Sequence, residues 1–175
     1  MTPDGGRSAH VPFGRAKAGA TPKQRLLFRL MQGRVHLLGA YQGLSQAQLV
    51  EPMGERKGSV RDAIAHITCW EIAVVDVFPA ALEGLRPAMM DFGAEDLKRW
   101  SEEQHERTRG LTLDETLRGF QITRLELLDR VEGAPEDPAE MWAESHPVGW
   151  MLDMLARNDD YYADLIKAWR GHKGY

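Results

Sequence analysis

The chain has 175 residues, of which 43% are hydrophobic and 27% charged. That is enough apolar material to bury a core and too much for wholesale disorder. With 22 basic residues against 26 acidic ones the net charge is −4 and no basic block stands out, which argues against nucleic-acid binding through phosphate neutralisation.

Nine prolines punctuate the chain and leave long proline-free windows at 23–51, 53–78, 88–134 and 148–175, where helices fit. Residues 1–20 read as a tail, rich in Gly, Ala and Arg and without an apolar period. A bundle is expected over 21–172. Thr21 followed by Pro22 predicts an N-cap and a first-turn proline for a helix reaching about Gln42, weakened by Gly33 and Gly39. Ser59, with Asp62 three residues on, predicts a capping box for a second helix reaching Phe78, or Leu85 with a kink at Pro79. A short polar helix is expected over Ala94–Arg109. Thr112 and Glu115 form another capping box, for a helix ending near Val131–Gly133. The last helix is expected over Val148–Arg170. No stretch of four or more residues alternates apolar and polar as a strand would. The fold class read from these elements is all-α: an up-and-down four-helix bundle with an extra short helix and an N-terminal tail.

Helical residues advance about 100° each, so the apolar stripes can be laid out. In the first helix Leu27, Leu30, Met31, Leu38 and Tyr41 flank Arg34. In the second, Val60, Ile64, Ile67, Val74 and Phe78 flank Glu71. In the fourth, Leu113, Leu117, Phe120, Leu128 and Val131 flank Arg124. In the last, Met151, Leu152, Leu155, Tyr162, Ile166 and Trp169 flank Asp159. Each long helix thus sets one charge in its core-facing line. An isolated buried charge is too costly to keep, so the four should pair, Glu71 with Arg124 or Asp159 with one of the arginines. Two readings follow. A closed network would fix helix register without chemistry. An open one would line a pocket where Glu71 or Asp159 is a general base and Arg34 or Arg124 holds substrate.

The six histidines, His10, His36, His66, His105, His146 and His172, are too far apart for a helical HxxxH zinc pair. His36 should point outward. Glu102 and His105 carry di-iron spacing only once, so they read as a solvated face. His66 flanks the second stripe one turn from Trp70, the position of a boundary histidine. The single cysteine, Cys69, excludes an internal disulfide, suits a reducing cytoplasm, and is placed on the outer side without an activating base. Trp70, Trp100, Trp142, Trp150 and Trp169 read as core and interface, with Trp70 and Tyr162 as pocket walls if one opens beside the charged layer. No apolar run approaches the roughly 20 residues of a membrane span, and no signal sequence is recognised, so a cytoplasmic protein without membrane or nucleic-acid partners is expected.

The text from Ser59 to Glu71, Ser-Val-Arg-Asp-Ala-Ile-Ala-His-Ile-Thr-Cys-Trp-Glu, resembles the second-helix signature of the DinB/YfiT-like four-helix superfamily, closest to its ClbS/DfsB branch. Supporting stretches are Gly-Leu-Ser-Gln-Ala-Gln-Leu at 43–49, the helix Leu113–Val131, and Asn158-Asp-Asp-Tyr-Tyr162 through Trp169. Together they cover about 22–170. The resemblance implies a four-helix bundle, often dimeric, and in many members a divalent metal held by three histidines, one on the second helix and two on the last. Such members include thiol-dependent S-transferases and isomerases. The ClbS/DfsB branch includes a self-resistance protein that hydrolyses a cyclopropane in a genotoxin. Two departures matter. Gly58 stands where the family has tryptophan, and the last helix has no histidine, its places falling on residues such as Asn158, Tyr161, Tyr162 or Leu165. His66 alone carries over as a metal ligand, an incomplete set that Asp159 or Asp160 could extend only for a harder cation. The expectation is therefore a pocket near His66, Trp70, Asn158 and Tyr162 for a small-molecule ligand, without a resident cofactor. Three functions fit it: a metal-independent hydrolase or transferase, a binding or sequestering protein, or a structural bundle acting as a homodimer.

Overall fold

In the computed structural model the described residues are 19–55 and 57–175. Most of the expected tail lies outside them. The chain forms α1 (Pro22–Tyr41), α2 (Gln46–Leu49), β1 (Pro52–Gly54), β2 (Lys57–Ser59), α3 (Val60–Leu82), α4 (Ala94–Thr108), α5 (Leu113–Gly133) and α6 (Pro147–Lys173), with 3-10 turns at Ala88–Asp91 and Ala139–Trp142. The caps fall where the side chains demand. Thr21, Ser59 and Thr112 each accept from the backbone N–H three residues on, closing capping boxes with Gln24, Asp62 and Glu115. α6 starts instead at His146, whose Nδ1 accepts from Val148 N. Pro79 sits inside the last turn of α3, which continues to Leu82.

The long helices run up, down, down, up. Gly33 of α1 abuts Ala156 and Asp159, while Arg170 late in α6 donates to the carbonyls of Ala40 and Gln42 at the end of α1. α1 and α6 are therefore parallel. Arg124 reaches Glu71 and Gly119 lies beside Thr68, so α5 runs parallel to α3. The two pairs oppose each other, because Lys23 at the start of α1 donates to Glu132 O and Ala134 O at the end of α5, at 2.8 and 2.6 Å. That buried ammonium meets the carbonyls a helix C-terminus leaves unpaired, where the helix dipole also favours a cation. A parallel α3–α5 pair needs a long return, and residues 83–112 supply it with α4 on the outside.

Sequence and fold differ in a few places. The short hairpin, Pro52 paired with Ser59 and Gly54 with Lys57, was not foreseen, its strands being three residues long. α1 is rotated from the expected stripe. Its buried residues include Leu30, Gly33, Arg34, Leu37 and Ala40, while Met31 and Leu38 are 56% and 41% exposed. Gly33 explains the rotation, since a Cβ there would lie 3.0 Å from Ala156 O and 3.2 Å from Asp159 Cβ. The glycine lets α6 approach along a line that a larger residue would block. Cys69 is buried rather than outward, and burial pushes its thiol pKa up, which leaves it unreactive. His36 is half-buried, 2.9 Å from Asp160 Oδ1. α3 is long and apolar enough to cross a membrane by length and composition, contrary to the expectation that no run approaches a span, and here it is a core helix of this bundle.

Candidate functional site

Four charges divide the core into two apolar halves. One half gathers Leu30, Val74, Phe78, Leu127, Leu155 and Ala156; the other gathers Leu37, Ile67, Phe120, Ala163 and Ile166. On every long helix the switch between halves happens at or beside the charge: Arg34, Glu71 (where Trp70 already belongs to the first half), Arg124 and Asp159. Glu71 and Asp159 are fully buried, and Arg34 and Arg124 nearly so. One oxygen of Glu71 accepts from both guanidiniums, with Arg124 Nε at 2.7 Å and Arg34 through Nη2. Asp159 Oδ2 accepts from Arg124 Nη2 at 2.9 Å and Arg34 Nε at 3.3 Å. Arg124 Nη1 donates to Leu30 O at 3.2 Å, and the Arg34 guanidinium lies 3.6 Å from the centre of the Phe120 ring.

The quartet is neutral in sum, with each acid shared by both bases, as a buried charge requires. Burial pushes the Glu71 carboxyl up from its usual range against the attraction of Arg124 and Arg34, and pushes Arg34 down. Glu71 Oε2 and Asp159 Oδ1 have no partner among the described residues.

A cleft of about 640 Å³ opens elsewhere, where α3, α4 and α6 meet the hairpin. Its floor is the first half of α3, with Ser59, Asp62, Ala63 and His66. One wall is α4, with Ser101, Gln104, His105 and Thr108, and the other is α6, with Tyr161, Tyr162 and Leu165. His66 stands five residues before Glu71, about 7.5 Å along the helix axis at 1.5 Å per residue. None of Arg34, Glu71, Arg124 and Asp159 is among the lining residues. The sequence thus brings the four charges together as expected, but into a seam apart from the cavity. Of the expected wall residues, His66 and Tyr162 line the cleft. Trp70 and Asn158 do not. Trp70 stands behind His66, and Asn158 Nδ2 is buried without a partner among the described residues.

An aromatic cluster shapes the inner end of the cleft. Trp70 Nε1 donates to His66 Nε2 at 3.0 Å. Trp100 of α4 lies on Trp70, ring centres 3.9 Å apart, and meets His66 edge-on at 5.8 Å. Tyr162 closes the other side of the imidazole at 5.7 Å. Burial pushes the His66 pKa down and the Tyr162 phenol, helped by Tyr161, up to about 12. At neutral pH both are uncharged. Since α4 buries none of its own residues, the Trp100–Trp70 stack is its main anchor to the bundle.

Sequence reasoning missed the contribution of α4. His105 is exposed, as the sequence suggested, and it also lines the cleft along with Ser101, Gln104 and Thr108. The available signal was the mismatch between a polar helix and its single tryptophan, which needs an apolar partner.

The three-histidine metal site that the second-helix resemblance implies does not fit these residues. Tyr162 and Leu165 occupy the α6 wall opposite His66. The Nε2 lone pair of His66 is already engaged by Trp70. Among the described residues no group of three His, Cys, Asp or Glu side chains is arranged to hold a metal ion.

Comparison with known proteins places this geometry on a known fold. No family model and no curated protein matches the sequence. Among solved structures, one titled "Sibling Lethal Factor Precursor - DfsB" superposes with a TM-score of 0.70 at 18% identity, over 86% of this chain and 96% of that one. An uncharacterised protein from Escherichia coli UTI89 gives a TM-score of 0.70 at 15% identity, over 87% and 94%. The chain is an all-α bundle with the ClbS/DfsB-like fold that its second-helix text resembles.

Proposed function

We propose that the protein binds a small organic molecule in the cleft between α3, α4 and α6, without a metal, and that the buried ion quartet is a structural layer. The cleft itself carries the reading. Its volume lies in the range usual for small-molecule sites. Its lining combines aromatic rings with hydroxyl, amide and imidazole groups that can orient a ligand.

The catalytic alternative, with Glu71 or Asp159 as base and Arg34 or Arg124 as clamp, asks these groups to meet substrate. They bond one another inside the core and none of them lines the cleft, although Glu71 Oε2 and Asp159 Oδ1 keep no partner among the described residues. A hydrolase or transferase working from the cleft would have to draw on His66, His105, Asp62 and Tyr162 instead.

The test is a thermal-shift screen of aromatic fragments on the full chain and on Ser101→Trp, which fills the cleft from an α4 position outside the core. The reading expects fragments that raise the Tm of the unmodified protein and leave that of Ser101→Trp unmoved. Equal shifts in both proteins would reject it.

A further inference from the structure

The hydrogen bond behind His66 has a consequence for what the cleft can recognise. An indole N–H only donates, so an imidazole nitrogen facing it at 3.0 Å must supply a lone pair. His66 Nε2 is therefore unprotonated, and a neutral ring must carry its proton on Nδ1. That Nδ1 has no hydrogen-bond partner among the described residues, and it is not one of the sealed polar atoms without a partner. His66 also lines the cleft, while Trp70 does not. Trp100 and Tyr162 hold the ring from the sides at 5.8 and 5.7 Å.

We propose that Trp70 is a positioning residue that locks His66 as its Nδ1–H tautomer, so that the cleft presents a fixed, uncharged donor to a planar small molecule bearing a carbonyl acceptor. The inference rests on the cleft being the binding site and adds the chemical class of its ligand. Around the donor the lining supplies flat apolar surface from Tyr161 and Tyr162. Asp62 is the one carboxylate among the described lining residues, which include no lysine or arginine, and it is already engaged. Its Oδ2 accepts from Ser59 N and Ser59 Oγ, both at 2.9 Å, and its Oδ1 lies 3.2 Å from Arg61. A preset donor beside an Asp62 carboxylate that is already engaged favours an amide or ketone. A hydrocarbon of the same shape forfeits the hydrogen bond, and a carboxylate finds no lysine or arginine in the described lining and meets Asp62 there.

The experiment has two arms on the full chain. First, imidazole ¹⁵N–¹H correlation spectra at neutral pH report the tautomer directly. The expected spectrum shows a protonated Nδ1 and an unprotonated Nε2 at His66, and Trp70→Phe releases that preference. An Nε2–H tautomer in the unmodified protein would overturn the proposal without touching the cleft reading. Second, benzamide, benzoate and toluene are titrated against the unmodified protein, Trp70→Phe and Ser101→Trp. Benzamide should bind best and shift the His66 Nδ1–H signal. Its affinity should fall roughly 3- to 10-fold in Trp70→Phe, the weight of one hydrogen bond. Toluene should bind equally to both. Equal benzamide affinity in both proteins, or tighter benzoate binding, would overturn the ligand class. Undiminished binding to Ser101→Trp would overturn the cleft reading and this inference together.

Discussion

Two regions of this bundle draw on the same helices and have opposite character. The mid-core layer contains Glu71 of α3 and Asp159 of α6, both fully buried and engaged by two arginines. The cleft uses His66 of α3 and Tyr162 of α6, within five residues of those acids, and both are neutral and reachable. Charge near the centre of this bundle thus does not mark its cavity. The two acids bond both arginines yet leave Glu71 Oε2 and Asp159 Oδ1 without a partner among the described residues, and none of the four ions lines the cleft.

That contrast can be broken experimentally. The largest effect is expected at the quartet. Glu71→Ala leaves two guanidiniums facing an empty space, and should cost about 3–5 kcal/mol in denaturant unfolding. Replacing all four ions together by apolar residues of similar volume should instead be neutral or stabilising, by up to about 4 kcal/mol. A fully apolar layer that abolished folding would show the ions to be more than packing. Phe120→Ala, which removes a fully buried ring and the face under Arg34, should cost about 3–5 kcal/mol by the same measurement. Gly149→Ala puts a Cβ at 2.0 Å from Ala143 O, a backbone atom that cannot swing aside. A drop in Tm equivalent to about 1–3 kcal/mol is expected.

The smaller effects are pH-dependent. At Asp160, burial alone would raise the carboxyl pKa, but the bonds from His36 and Arg29 outweigh it and the net shift is downward. A depressed carboxyl stabilises the fold above its unfolded pKa, near 4, and loses that contribution as pH falls through the folded value. Asp160→Asn should therefore cost about 1 kcal/mol or less at pH 7, and flatten the stability curve below pH 4. His66 is depressed by burial, so its neutral form is the folded form. Its contribution is complete above about 6.5 and declines as pH falls through the lower folded pKa. Unfolding measured from pH 7 to 5 should show that slope, and His66→Phe should remove it.

Much of this was legible in the residues. Two capping boxes, the Thr21–Pro22 start and the long proline-free windows marked the long helices, because caps and prolines act locally. The convergence of Arg34, Glu71, Arg124 and Asp159 was legible too, since no single buried charge can stand alone. The rotation of α1 was not, because it depends on Gly33 meeting a neighbour 123 residues away, Ala156. Nor was the cleft, which forms only when α4 crosses back over α3. Its lining residues are polar and scattered through the chain, so no helical stripe reveals them. The Trp70–His66 pairing had the right spacing on one helix, but its direction needed three-dimensional placement.

Backbone and side-chain chemical-shift mapping during a fragment titration tests the central distinction most directly. Perturbations concentrated on His66, Ser101, His105 and Tyr162, with the arginine Nε signals of Arg34 and Arg124 unmoved, are the predicted result. Shifts centred on Arg34, Arg124 and the neighbours of Asp159, with the α4 wall silent, would contradict it.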